Sequence, residues 1–272
     1  MVFPLARRRS RPWENAAVSA LPLSIVIPVY NEPDNIGPTL EALPQHVPVA
    51  HEIIVVYDYD EDTTLPVLRA LQPQMPQLRV VKNDVARGPS GALRQGFRAA
   101  AGERVLVLMA DQCDDFSQIA ELINLVPASA DVACPSRYCR GGAQQLSGLK
   151  VWAPRTAGFL LKLVSGLPTY DPTNSFKMYS GPMLRGMQLT SVISFSVTLE
   201  IVARAHGLRY RIVELPTVWR DRTHGKTNFN LRRSLVAYTP WFFLAVLGAP
   251  FIPLTRAARR RIFSGPPREE RT

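Results

Sequence analysis

The chain has 272 residues, 46% of them hydrophobic and 20% charged, enough for one sizeable core or a core with a tail. Its net charge of +10 favours anionic partners, whether nucleic acid, a phosphorylated small molecule or an acidic membrane surface, and does not choose among them. Three cysteines, Cys113, Cys134 and Cys139, with no C-x-x-C pair suggest neither a disulfide framework nor a zinc site and fit a reducing cytosol.

The opening "MVFPLARRRSRPWENAAVSA" has arginines but no long apolar stretch, so it reads as a basic arm over residues 1–22 and not as a secretory signal. Apolar runs rich in Val and Ile follow: "LSIVIPVY" at 23–30, "HEIIVVYD" at 51–58, "LRVVKND" at 78–84 and "RVLVLMAD" at 104–111. Between them "DNIGPTLEAL" has a helix start, and "SGALRQGFRAAAGE" spaces Ala92, Leu93, Phe97 and Ala100 along a helix from Ser90 to a stop at Gly102. Continuous apolar strands alternating with helices predict an α/β fold: a mostly parallel central sheet covered on both faces. In such sheets ligands bind beyond the carboxyl ends of the strands, which puts Tyr30 to Glu32, Asp58 to Asp62 and Asp111 to Asp115 on one rim. Further on, the pattern predicts a helix over about 155–165 and an amphipathic helix over 195–207, with Glu200 and Arg204 as an exposed pair four apart.

The segments "SIVIPVYNE", "VVYDYDEDTT", "RGPSGALRQGF", "VLVLMAD", "DPTNSFK" and "VELPTVWRDRTHGKTNF" come in the order and approximate spacing of family 2 glycosyltransferases with the GT-A fold. Within that family the chain resembles the dolichyl-phosphate or polyprenyl-phosphate mannose synthase branch, over roughly residues 23–230. A GT-A domain is therefore expected over 23–232, followed by an apolar and basic segment over 233–272.

The resemblance implies site roles. Pro28, Tyr30, Glu32 and Asp58 would bind the nucleotide, with Asp58 accepting hydrogen bonds from the N–H edge of uracil or guanine. The bland alternative is a solvated acidic loop at 58–62, and here Tyr57 and Tyr59 replace the first Asp and the Gly of the family's "DDGSTDGT". The family's "DADxQ" becomes Met109-Ala110-Asp111-Gln112-Cys113, so Asp111 is the acid in register with the metal ligand, for Mg2+ or Mn2+, with Gln112 or Asp114 assisting. An acidic helix start is the competing reading, which suits Asp114 and Asp115 better than Asp111. Arg137, Arg155 and Arg222 would hold the diphosphate, with Thr227 replacing a family Ser in the late loop. Asp171 and its "DPTNSFK" neighbours form the acceptor loop in the resemblance, or a simple turn without it.

The implied activity is inverting transfer of a hexose, of mannose or glucose type, from GDP-mannose or a UDP-hexose to a polyprenyl phosphate, with Asp111, Asp171 and Arg222 as the catalytic set. The apolar run at 235–254 is broken by Pro240, Pro250 and Pro253, which argues against a straight membrane span. With "RAARRR" at 256–261 it reads as an interfacial segment on an anionic membrane surface, and places the protein peripherally on the cytoplasmic face. A core helix or a dimer contact is the alternative, so a homo-oligomer stays open. A catalytically idle nucleotide-sugar binder and a non-lipid acceptor are the competing functions. Nucleic-acid binding lacks a motif, and a processive polysaccharide synthase lacks its Q-x-x-R-W signature.

Overall fold

The computed structural model describes residues 21–144, 149–220 and 231–265. Its strands are β1 (Leu23–Pro28), β2 (His51–Tyr57), β3 (Leu78–Lys82), β4 (Arg104–Val107), β5 (Val132–Ser136), β6 (Ala143–Gln144), β7 (Lys177–Ser180), β8 (Ile212–Pro216) and β9 (Val218–Trp219). The helices are α1 (Pro33–His46), α2 (Leu65–Leu71), α3 (Pro89–Ala99), α4 (Ile119–Leu125), α5 (Leu149–Ser165), α6 (Gly181–Arg185), α7 (Ser196–Gly207), α8 (Leu231–Leu247) and α9 (Arg256–Phe263).

Three of the apolar runs become strands buried on both faces, β1, β2 and β4, and their alternate residues feed two cores, while β3 lies at the sheet edge and is partly exposed. Ile25, Ile27, Ile53, Val55 and Leu106 pack toward α1, α2 and α4. Val26, Ile54, Val56, Val105 and Val107 pack toward α3, α6 and α7. A two-residue period supplying two opposite cores is why these runs show no polar face in the sequence.

The main sheet has the order β3-β2-β1-β4-β7-β5-β8. β1 is parallel to β2 and β4, and β5 is parallel to β8. β7 runs antiparallel between β4 and β5. The chain winds outward from β1 through β2 to β3, then crosses back to β4 on the other side of β1. That reversal opens a crevice beyond the carboxyl ends of β1 and β4, the place such sheets keep for ligands.

Three expectations differ from the structure. Glu200 and Arg204 are no exposed pair: they are buried, 0% and 4% accessible, because α7 lies between the sheet and the C-terminal helices. Arg204 Nε donates to Glu200 Oε1 at 2.9 Å, and the same carboxylate accepts from the backbone N–H groups of Thr190 and Ser191, pinning the turn that leads into α7. The second concerns the tail. α8 does not stand apart from the domain: Ala237 and Ala245 are buried, Trp241 and Phe242 pack on the second core, and Arg204 lies 5.5 Å from the centre of the Trp241 ring. The helix expected at about 155–165 begins earlier, at Leu149.

Removing one partner of a buried pair strands the other charge, at a typical cost of about 3–5 kcal/mol. Glu200→Ala should therefore lower unfolding free energy by about that amount in urea titration, and Glu200→Ala/Arg204→Met should recover part of it. A loss below about 1 kcal/mol, the range of an exposed pair, would refute the buried assignment.

Candidate active site

At the end of β1, Asn31 adopts φ 53°, a left-handed conformation that Asn tolerates, and turns the chain so that Tyr30 projects outward at 54% exposure. Pro28 ends the strand and is buried. Glu32 precedes α1; its backbone N–H donates to Thr64 Oγ1 at 2.9 Å, and its Oε2 accepts from Asn35 Nδ2 at 2.6 Å. Facing it, the loop after β2 brings Tyr59 to 6.0 Å from Tyr30, ring centre to ring centre, tilted by 60°. Tyr30, Asn31, Tyr59, Glu61 and Asp62 line a cleft of about 200 Å3.

Asp58 is placed behind this cleft. Its Oδ2 accepts from the Gly88 N–H at 2.7 Å and its Oδ1 from Asn83 Nδ2 at 2.6 Å, so it fastens the 83–88 loop to β2. Gly88 has φ 102°, open to glycine alone, and a Cβ on Gly91 would fall 1.6 Å from the Ala86 carbonyl oxygen. These two glycines explain the "RGPSG" of the sequence. The loop they permit carries Arg87, whose guanidinium lies 4.6 Å from the centre of the Tyr59 ring.

On the other side of the switch point, Gln112 takes φ 54° and turns the chain after β4. Asp111 Oδ1 accepts from the Cys113 N–H at 3.2 Å, and Thr39 Oγ1 donates to the Ala110 carbonyl at 2.6 Å. Asp115 is the cap the bland reading anticipated, since its Oδ1 accepts from both the N–H and hydroxyl of Ser117. Asp114 is not a cap. It is buried, hydrogen-bonded by the Met109 backbone, and its Oδ2 has no hydrogen-bond partner among the described residues. Burial, then the neighbouring Asp111 charge, push its carboxyl up to about 7. A cleft of about 430 Å3, lined by Gln112, Asp114, Asp115, His46, Phe116 and Arg220, opens beside it.

Among the described residues no three His, Cys, Asp or Glu side chains gather as a closed metal cluster. A pair of adjacent buried carboxylates with one oxygen unpartnered suits a different arrangement, a hard divalent cation that takes only one or two protein oxygens and completes its shell with phosphate and water. Asp111 and Asp114 fit that description. Gln112 is exposed and could add its amide oxygen, while the buried Cys113 thiol faces the Asp111 carbonyl at 3.7 Å.

Beyond β5, Arg137 meets Asp171. Nε donates to Oδ2 at 2.7 Å, Nη2 to Oδ1 at 2.9 Å, and the Arg137 backbone N–H to Oδ2 at 3.1 Å. Burial works against the guanidinium charge, but the Asp171 carboxylate outweighs it and holds Arg137 above its ordinary value. Asp171 is fully buried with both oxygens used, so it positions Arg137 and does not itself reach an acceptor. The "DPTNSFK" turn is thus more than a surface turn: Asn174 Nδ2 donates to the Pro135 carbonyl at 3.0 Å, and Lys177, 0% exposed, donates to the Asp171 and Asn174 carbonyls. Arg155 is exposed on α5, with its charge near Tyr138. Arg222 and Thr227 lie outside the described residues; the backbone N–H of Arg220, just before them, donates to the Cys113 carbonyl at 3.0 Å.

Sequence reading missed Lys177, since a lysine opening a strand reads as solvated, and Tyr238 on α8, which is hydrogen-bonded to Ser194 and feels the charges of Arg137 and Asp171.

Residues 24–186 match the family model for glycosyl transferase family 2. The chain belongs to that family. It is 27% identical over 239 residues to a dolichol-phosphate mannosyltransferase of Pyrococcus furiosus, a match that covers 80% of this chain and 64% of that protein. It is 26% identical over 227 residues to a polyprenol monophosphomannose synthase of Mycolicibacterium smegmatis, covering 80% and 85%. Glucosyl-3-phosphoglycerate synthase of Mycobacterium tuberculosis, solved with Mn2+, UDP and glucosyl-3-phosphoglycerate, superposes with a TM-score of 0.60 at 17% identity over 85% of this chain and 81% of that one. The α/β fold is GT-A-like, as the resemblance implied.

If Asp171 acts only through Arg137, the two substitutions will not add. Arg137→Ala and Asp171→Asn should each cut transfer activity strongly, while the double variant should be no worse than the weaker single one. Independent, multiplying losses would instead give Asp171 a contact of its own with substrate.

Proposed function

We propose that this protein is an inverting glycosyltransferase that moves a hexose from a nucleoside diphosphate sugar, GDP-mannose or a UDP-hexose, to a polyprenyl phosphate. The observation that carries the reading is the Asp111–Asp114 pair at the switch point of the sheet, with the unpartnered Asp114 Oδ2 beside an open cleft. The relatives' names, both polyprenyl-type phosphate mannosyl transferases, support the acceptor class.

Asp111 and Asp114 would hold a divalent cation, Mg2+ or Mn2+, which when bound neutralises the charge that gathers on the departing diphosphate. Their position at the end of β4 puts that charge next to Tyr30 and Glu32 at the end of β1, which flank the nucleotide cleft. Arg137 spends Nε and Nη2 on Asp171, and Nη1, which has no such bond among the described residues, would bind an anionic oxygen. Held rigidly by a buried partner, it stabilises phosphate charge without having to reorganise. By resemblance, Arg222 and Thr227 approach the same diphosphate. A lipid monophosphate has its second ionisation near pH 6, so it arrives largely dianionic and attacks the anomeric carbon with no strong general base. Attack opposite the leaving diphosphate inverts that carbon.

A lipid acceptor places the protein at a membrane surface, and we assign the cytoplasmic face. Among the described residues no helix is long and apolar enough to cross a membrane. Exposed apolar side chains are nevertheless present on these elements: Phe159 and Leu163 on α5, Phe243 on α8 and Phe251 beyond it are all more than half exposed. Arg256, Arg260 and Arg261 on α9 are exposed nearby, to meet anionic headgroups. α8 thus packs inward on the core and presents its other face outward.

Asp111→Ala should reduce transfer of radiolabelled hexose to a short polyprenyl phosphate by about a hundredfold or more, and a chelator should do the same to the wild type. Activity surviving both would remove the cation from the mechanism, whereas nucleotide binding without any turnover would favour the catalytically idle nucleotide-sugar binder.

For the membrane, Phe243→Ser/Phe251→Ser should keep the fold, since both rings are about two-thirds exposed, and should weaken sedimentation with anionic vesicles tenfold or more. Unchanged binding would place the contact elsewhere.

A further inference from the structure

We propose that Glu214 is a positioning residue for the transfer site: through Thr169 and Tyr170 it sets the turn from which Asp171 aims Arg137. The inference rests on the reading above, in which Arg137 binds an anionic oxygen of the diphosphate, and names the residue on which that aim depends.

Glu214 lies on β8 opposite Cys134 of β5, the strand that ends just before Arg137. Its Oε1 accepts from Thr169 Oγ1 at 2.9 Å and from the Tyr170 backbone N–H at 2.5 Å. Thr169 is fully buried and passes the connection on, since its hydroxyl oxygen also accepts the Asp171 N–H at 3.1 Å. Asp171 precedes Pro172, which confines its backbone to the extended region and leaves the direction of its carboxylate to the placement of the whole turn. One carboxylate on β8 therefore orders residues 169 to 171, and the last of them forks Arg137. Both halves of the fork are set by one strand pair, Arg137 by the end of β5 and Asp171 by β8.

The other side of Tyr170 is closed by α5. A Cβ on Gly158 would fall 2.0 Å from the Tyr170 carbonyl oxygen, so glycine is what lets the helix pass this close. The Phe159 ring stacks on the Tyr170 ring, 6.4 Å between centres and 7° from parallel, and Lys162 Nζ lies 3.7 Å from the centre of the Tyr170 ring. Lys162 also comes within 3.6 Å of Glu214 Oε2. These contacts fix Tyr170, whereas the hydrogen bonds that continue to Asp171 run through Glu214 and Thr169. The Glu214 side chain is only 11% exposed, which leaves water little room to accept from Thr169 and Tyr170 in its place.

Three substitutions separate aim from stability. Thr169→Val removes the linking hydroxyl at nearly constant shape and leaves Glu214 its Tyr170 donor. Glu214→Leu removes the acceptor for both donors, and Glu214→Gln keeps an acceptor oxygen for them. Each is made in the wild type and in Arg137→Ala, and the full chain is titrated calorimetrically with UDP and with GDP in the presence of Mn2+, beside a urea unfolding curve. Glu214→Leu should weaken the better of the two ligands about tenfold and Thr169→Val about fivefold, while Glu214→Gln should bind within about threefold of the wild type. In the Arg137→Ala background the same changes should cost less than about twofold, because they act through that arginine. A merely structural role would shift the urea midpoint and leave the loss of affinity equal in both backgrounds. Equal losses in the two backgrounds would overturn the proposal, and so would wild-type affinity in a folded Thr169→Val. If Glu214→Leu does not fold, Thr169→Val and its cycle with Arg137→Ala decide the matter. An Arg137→Ala protein that binds UDP and GDP as tightly as the wild type would instead overturn the reading of Arg137 itself, before any Glu214 variant is compared.

Discussion

A charge taken out of water must be matched by another, and at the ends of β4, β5 and β7 this chain buries four ionisable groups within one another's fields. Asp114, Arg137, Asp171 and Lys177 all sit there, with the Cys134 thiol among them, pushed up to about 12 chiefly by burial. Burial also pulls Lys177 below its ordinary value, and Asp171 and Asp114 work to keep its charge. The Arg137–Asp171 fork is the closed part of this set. Asp114 is the open part, because the charge it feels most strongly is that of another acid and one oxygen has no hydrogen-bond partner among the described residues. That imbalance, at the switch point of an α/β sheet, is the observation on which the proposed cation site rests.

The antiparallel β7 makes this clustering possible. Inserted between β4 and β5, it sets Lys177 against Val107 in the pairing, so a buried lysine begins its strand where β4 ends and the acidic turn starts. The chain just before it then passes over the end of β5, where Asp171 finds Arg137 and Asn174 finds the Pro135 carbonyl. Nothing in the hydrophobic pattern signals an antiparallel insertion, because "KMYS" is as short and as apolar as a turn-flanked core segment of any kind. The Val- and Ile-rich runs were legible because three of them bury both faces and the fourth, at the sheet edge, keeps the same composition, and their order along the chain gave the parallel half of the sheet. The strands assembled around β7 needed the long-range pairing itself.

The same division holds within the site. Tyr30, Asp58 and Asp111 were legible because each ends an apolar run, and a strand's end in this kind of sheet is a functional address. What each does there was not legible, since a carboxylate is read as a ligand until its partners are known. Asp58 is occupied by a loop thirty residues away in the sequence, and Asp171 by an arginine thirty-four residues before it. Glu200 and Arg204 show the converse error: spacing of four on a helix suggested a solvated pair, and only the packing of α8 over α7 turns it into a buried one. Helical spacing fixes which side chains meet and says nothing of what covers them.

The C-terminal segment joins both themes. Its prolines exclude a straight span, yet Pro240 sits inside α8 and does not end it. One face of the helix completes the second core, and Tyr238 on it reaches Ser194, in the turn that Glu200 pins through Thr190 and Ser191. The Tyr238 hydroxyl also lies in the field of Arg137 and Asp171. The helix thus carries an exposed phenylalanine on one side, Phe243, and on the other a tyrosine close to the Arg137–Asp171 pair. Its position is fixed by packing on the second core through Ala237, Trp241, Phe242 and Ala245. The packing runs on from there: α8 packs over α7, and α7 meets the DPTNSFK turn through Thr198, whose hydroxyl donates to the Thr173 carbonyl at 3.4 Å.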